Sequence, residues 1–197
     1  VVHFGRVFPL CFKKHAEKDP SEWKYKGRCV FQGNNVHTES NAHAVFTDQS
    51  SSACHHTIGK WLDMVARLPG CVGQDAYAKS AYTQAILLGD DTWVKLPPEA
   101  RPKTWGNYTR PVCKLIRALY GHPNAGLYWE QHCRDQLIKI GFQPVPGHES
   151  CYVHKERQVL LGVYVDDLKI AGKPESIEPL WKKLREQFDL ELSTELN

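Results

Sequence analysis

Two adjacent aspartates interrupt an otherwise apolar stretch. Val159-Leu160-Leu161-Gly162-Val163-Tyr164-Val165 runs into Asp166-Asp167, and Leu168 to Ala171 follows. Two short apolar runs split by two residues predict a β-hairpin closed by a two-residue carboxylate turn. The first run is apolar almost throughout, so its strand is expected to be buried on both faces. Asp is common in turns because it hydrogen-bonds its own backbone, which makes a solvated turn the ordinary reading of such a pair. Here the carboxylates end a buried strand. Charges held there need a counter-charge, and a divalent cation supplies one.

The rest of the chain alternates strand and helix patterns. In Trp23 to Val36, Lys24, Lys26 and Arg28 alternate with Trp23 and Tyr25, predicting a strand with one basic face that turns at Gly33-Asn34-Asn35. His37 to Ser52 is polar and turn-rich, as expected of a loop. Ile58, Trp61, Leu62, Val65 and Leu68 predict a helix over about 53–68, stopped at Pro69-Gly70. A strand is expected over 71–79, a turn and short helix over 80–88, and a strand at Trp93 to Leu96. A second helix is expected over about 125–140, with Leu127, Tyr128, Gln131, Leu137 and Ile138 on its face. A strand over 151–154, the hairpin, and a last helix over 178–188 complete the pattern. This interleaving predicts an α+β fold, an antiparallel sheet covered by helices on one face.

Composition narrows the class. Hydrophobic residues make up 42% and charged residues 24%, as in a globular chain rather than a disordered one. The apolar runs are too short to cross a bilayer, and Val1-Val2-His3-Phe4 is no signal peptide. Position 1 is not Met, so a fragment is expected. The net charge of +3 is weakly basic, and a local basic stripe would have to carry any polyanion. The seven cysteines are scattered with no CxxC pair, as expected of reduced thiols rather than a structural zinc site.

The motifs resemble one family. Tyr164-Val165-Asp166-Asp167-Leu168-Lys169-Ile170-Ala171-Gly172 resembles the catalytic tetrad and tail of copia-type retrotransposon reverse transcriptases. Lys26-Gly27-Arg28-Cys29-Val30-Phe31-Gln32-Gly33 is similar to its fingers strand, and Ala81-Tyr82-Thr83-Gln84-Ala85 to the segment after its first catalytic aspartate. Trp93-Val94-Lys95-Leu96-Pro97 and the block from Leu115 through Trp129 also match, in the family's order. The resemblance covers roughly 20–190.

It implies a fingers-like part over 1–70 and a palm over 71–197 bearing the YVDD hairpin, with the thumb absent or truncated. It implies RNA-directed DNA polymerase activity by a two-metal mechanism, with two Mg²⁺ ions, or Mn²⁺ in their place. Asp166 and Asp167 are then metal ligands and catalytic carboxylates. Lys26 and Arg28 hold the incoming triphosphate, for which a solvated basic face is the plain alternative. Tyr82, beside Ala81, lies under the sugar as a steric gate, a core aromatic being the plain alternative. Asn124 shapes the loop against nucleotide and template. Expected partners are RNA/DNA primer-template, deoxynucleoside triphosphates and the remainder of a Pol polyprotein, RNase H and integrase, with no membrane. The expected location is the cytoplasm, in virus-like particles, with the nucleus second.

One position departs from the pattern. The family's first catalytic aspartate falls four residues before Ala81, where this chain has Tyr77. The nearest carboxylate, Asp75, lies two residues earlier, about 6.5–7 Å along a strand. A bulge can shift register and bring Asp75 in as the catalytic residue. Without one, polymerase activity is expected to be impaired. Three readings therefore stay open: an active polymerase using Asp75, a relic that only binds primer-template, and an unrelated interaction domain.

Overall fold

The computed structural model describes residues 1–46 and 56–196. In chain order its strands are β1 (Val2–Lys14), β2 (Lys24–Phe31), β3 (His37–Thr38), β4 (Val72–Tyr77), β5 (Asp91–Lys95), β6 (Cys113–Lys114), β7 (Gln143–Pro144), β8 (Cys151–His154), β9 (Val159–Tyr164), β10 (Asp167–Gly172) and β11 (Thr194–Glu195). The α-helices are α1 (His56–Ala66), α2 (Ala81–Gln84), α3 (Ala125–Lys139) and α4 (Pro174–Gln187). Part of the helix expected over 53–68, and of the loop expected over 37–52, lies outside the described residues. Two compact units result, each built from two stretches of chain: Val1–Asp48 with Ile86–Ala125, and Gln49–Ala85 with Gly126–Asn197.

The first unit holds a sheet in the order β2-β1-β5-β6, with β3 also on β1. β1 and β2 form an antiparallel hairpin, while β1 and β5 run parallel. Strand side chains alternate between faces, so Val7, Phe31 and Val94 fall on one side, where they pack with Val36, Leu96 and Leu119. Lys24, Lys26 and Arg28 share the opposite face of β2, as the alternation predicted. Backbones cross closely at Gly33 and Gly121. A Cβ on Gly33 would lie 2.1 Å from the Gly121 carbonyl oxygen, and one on Gly121 2.2 Å from that of Phe31.

The second unit holds an antiparallel sheet in the order β11-β4-β10-β9-β8-β7. Helices cover both of its faces, not one as expected. Register puts Gln74, Ile170, Leu161 and Tyr152 on one face, and Gly73, Ala171 and Leu160 on the other. α4 covers the first face, where the indole N–H of Trp181 donates to Gln74 Oε1 at 2.7 Å. α1 covers the second: its buried Ile58 and Leu62 pack on Ala171 and Cys151. Small residues let it approach, since a Cβ on Gly73 would meet Ala66. Each fully buried Leu or Ile here is worth about 1.5–3 kcal/mol, so α1 is bound by its short apolar stripe rather than by helix propensity.

Helix boundaries also differ in places. α4 begins at Pro174, four residues before the expected start, because proline fits the first helical turn and Pro179 is tolerated inside. α3 buries Ala125, Tyr128, Trp129, Cys133 and Leu137, whereas Gln131 and Ile138 of the expected face are exposed. No described helix is long and apolar enough to cross a membrane.

Candidate functional site

The hairpin is present, with its turn one residue earlier than expected. β9 pairs β10 with Tyr164 opposite Asp167, so the two-residue loop is Val165-Asp166 and Asp167 begins β10. Asp167 stays in the ladder because β4 pairs it from the other side, Tyr77 lying opposite. Val165 has φ of +55°. Two-residue hairpin turns need such a residue to match the strand twist, and Gly or Asn normally supplies it. For a β-branched side chain this conformation costs on the order of 1–3 kcal/mol. Both loop carbonyls are held. The Ala78 N–H donates to Asp166 O at 2.6 Å, and the Trp129 indole N–H donates to Val165 O.

The register decides the standing of Asp75. It pairs with Lys169, two residues from the Tyr77–Asp167 pair, and no bulge interrupts the ladder between them. Asp75 and Tyr77 therefore share a face, but Tyr77 holds the position beside Asp167. The Asp75 carboxylate accepts a hydrogen bond from Thr194 Oγ1 at 2.5 Å. Lys169 turns to α1, its Nζ 2.6 Å from Asp63 Oδ1. Asp63, Asp75, Asp167, Lys169 and Tyr164 line one cavity of about 470 Å³. Burial raises the Asp167 carboxyl above its ordinary range, with the nearby charges of Asp166 and Asp75 adding to the rise. Tyr82, half-buried on α2, is also raised, first by burial and then by Asp166, which sets its phenol near that carboxylate. Ala81 is buried at 1% exposure.

A two-ion centre needs carboxylates that converge from neighbouring strands. Among the described residues, no three His, Cys, Asp or Glu side chains converge closely enough to hold a metal ion. Asp166 and Asp167 supply two carboxylates, and the third position is a phenol, not one of the carboxylate oxygens that hard cations such as Mg²⁺ take. The residues present do not fit the two-Mg²⁺ set.

Lys26, Arg28 and Asn124 belong to the first unit. Arg28 lies over the Tyr120 ring, 5.1 Å from its centroid, and Lys26 is half-buried. The loop carrying Asn124 is tied to β2 by the Phe31 N–H donating to Tyr120 O at 2.7 Å. Within that loop the Asn124 N–H donates to His122 Nδ1. The side chains joining α1 and α3 to the hairpin were not foreseen as site residues. Lys169 carried a signal, being a charge within an apolar strand that demands a partner. Asp63 carried none, and Trp129 was visible only as the end of a motif.

A hairpin bearing adjacent carboxylates, on an antiparallel sheet between helices, is compatible with a polymerase-type domain. The family model described as Reverse transcriptase (RNA-dependent DNA polymerase) matches residues 8–197, and the chain belongs to that family, in its copia-type retrotransposon branch. It is 28% identical over 190 residues to the Retrovirus-related Pol polyprotein from transposon RE1 of Arabidopsis thaliana, covering 94% of this chain and 12% of that protein. To the corresponding RE2 polyprotein of the same plant it is 27% identical over 164 residues, covering 82% of this chain and 11% of that protein. The chain thus spans a small part of these relatives.

Proposed function

We propose that this domain derives from a template-directed nucleotidyl transferase, and that the transfer step is lost or strongly slowed in this chain while primer-template and deoxynucleoside triphosphate are still bound. One observation carries the reading: Tyr77 occupies the strand position opposite Asp167, and Asp75 pairs elsewhere. Asp166 and Asp167 are the remaining site carboxylates. Lys26 and Arg28 contact the triphosphate, Tyr82 with Ala81 lies at the sugar, and Asn124 shapes the template-side loop. The chain acts as a fingers-like part and a palm within a Pol polyprotein bearing RNase H and integrase, in cytoplasmic virus-like particles. The family's chemistry calls for Mg²⁺ or Mn²⁺, and this chain's own residues do not complete a two-ion set.

The test is primer extension on an RNA template with Mg²⁺ or Mn²⁺, comparing the chain with Tyr77→Asp. Extension by Tyr77→Asp alone is expected. Extension by the unaltered chain overturns the reading, and extension by neither overturns the assignment of the loss to position 77. Primer-template binding by both proteins should weaken linearly in log K against log salt, as phosphate contacts require.

A further inference from the structure

The hairpin turn is held from outside by a side chain. Among the described residues φ is positive at Val165 and not at Asp166, the sign pattern of a type II′ turn and not of type I′. The closest alternative, type I′, differs by a flip of the central peptide, the one joining the Val165 carbonyl to the Asp166 nitrogen. That flip turns φ of Asp166 positive. Asp accepts the left-handed region more readily than most residues, so the alternative is accessible at this position. It would swing the Asp166 carboxylate to a new direction.

The Val165 carbonyl is the handle on that peptide, and the Trp129 indole N–H donates to it at 2.5 Å. Trp129 is buried at 2% exposure. Its nitrogen is a donor only, so burial requires an acceptor, and the turn carbonyl is that acceptor. The ring is itself fixed. It stacks on His132 with centroids 5.9 Å apart and meets Phe188, at the end of α4, edge-on at 5.9 Å. The β4 backbone holds the next carbonyl through the Ala78 N–H, a contact any sequence could make. Only the Trp129 bond depends on a particular side chain.

We propose that Trp129 is the positioning residue for Asp166: its indole N–H locks the central peptide of the turn and so aims the Asp166 carboxylate. The functional half of this rests on Asp166 being a site carboxylate, and the conformational half stands without it. Trp129→Phe keeps a ring and deletes the donor. In the labelled full chain, the Asp166 Cα and Cβ chemical shifts, which respond to the sign of φ, should move toward left-handed values in this variant. They should stay in place in Trp61→Phe, which alters an aromatic on α1 instead. Unmoved Asp166 shifts in a folded Trp129→Phe overturn the proposal. Should Trp129→Phe fail to fold, the unaltered chain decides: the Trp129 indole proton must exchange with D₂O at least about 100-fold more slowly than a solvent-exposed indole, and exposed-like exchange overturns the proposal. In a Tyr77→Asp background that extends primer, adding Trp129→Phe should lower kcat about tenfold with little change in KM for nucleotide. Unchanged kcat there overturns the functional half. A silent Tyr77→Asp counts against the proposed function and leaves the shift and exchange tests in force.

Discussion

Gly121→Ala should be among the most damaging small substitutions in the first unit. Gly121 sits at φ +86°, where an L side chain costs about 1–2 kcal/mol. Its new Cβ would meet Phe31 O at 2.2 Å and Val30 Cγ1 at 2.8 Å. The nearer obstacle is backbone, so no rotamer change relieves it, and overpacking adds roughly 1–3 kcal/mol. The turn at Gly121 and the end of β2 must part by close to an ångström, which breaks the Phe31 N–H to Tyr120 O bond, worth about 1 kcal/mol. The total is about 3–6 kcal/mol. With a urea m-value of about 2 kcal/mol/M, the midpoint should fall by at least about 1.5 M. Gly27→Ala is the control. It lies in β2 with no atom within 4 Å of its added Cβ, and should be neutral or stabilise by about 0.5–1 kcal/mol. The measurement is urea unfolding followed by circular dichroism and tryptophan fluorescence. A Gly121→Ala midpoint within about 0.5 M of the Gly27→Ala midpoint would refute the close-crossing argument.

Two further outcomes concern protons. Burial and neighbouring carboxylates raise Asp167, so its ionised form burdens the folded state. Between its ordinary value of 3.8 and the raised one the folded state binds more protons, and this group's contribution to stability falls as pH rises. Asp167→Asn should thus be more stable than the parent at pH 7, with the gap closing toward pH 3.8 in thermal melts; an equal gap at both ends refutes this. His122 is lowered from 6.5 to about 4, first by burial and then by His3. The unfolded chain takes up that proton first, so stability drops as pH falls from 6.5 to about 4, by roughly 3 kcal/mol. His122→Gln should flatten that part of the pH–stability curve, and a parallel curve would count against the burial of a neutral imidazole.

Locally patterned features were legible in the residues. Apolar runs around Asp166-Asp167 pointed to the hairpin, and the alternation of Lys24, Lys26 and Arg28 pointed to a basic strand face. The turn came out one residue early because Asp167 is kept in the ladder by Tyr164 and Tyr77, pairings that outweigh the poor strand preference of Asp. The start of α4 at Pro174 was missed because a proline marks a helix start only when its place in the first turn is known. The parallel pairing of β1 with β5 has no local signature, since its strands are far apart in the chain. The second helical cover followed from small residues at Gly73 and Ala171, whose meaning depends on what packs there. At the site, the departure at Tyr77 was legible by counting. The Thr194, Asp63 and Trp129 contacts join residues distant in the chain, and no spacing rule links them.

The interleaving of the two units bears on how the chain comes off a ribosome. Synthesis is vectorial, and each unit is split. β1 and β2 emerge early, yet β1 waits for β5 to close its other edge. β4 emerges before β5, but its main partner β10 comes near the end of synthesis. Both sheets thus pass through a stage with unpaired strand edges, the state most open to wrong pairing with another chain. Neither unit can be freed by a single cut, and a nascent chain halted between β6 and β9 holds every strand of the first sheet while β4 still lacks β10, so chaperones should capture it through β4.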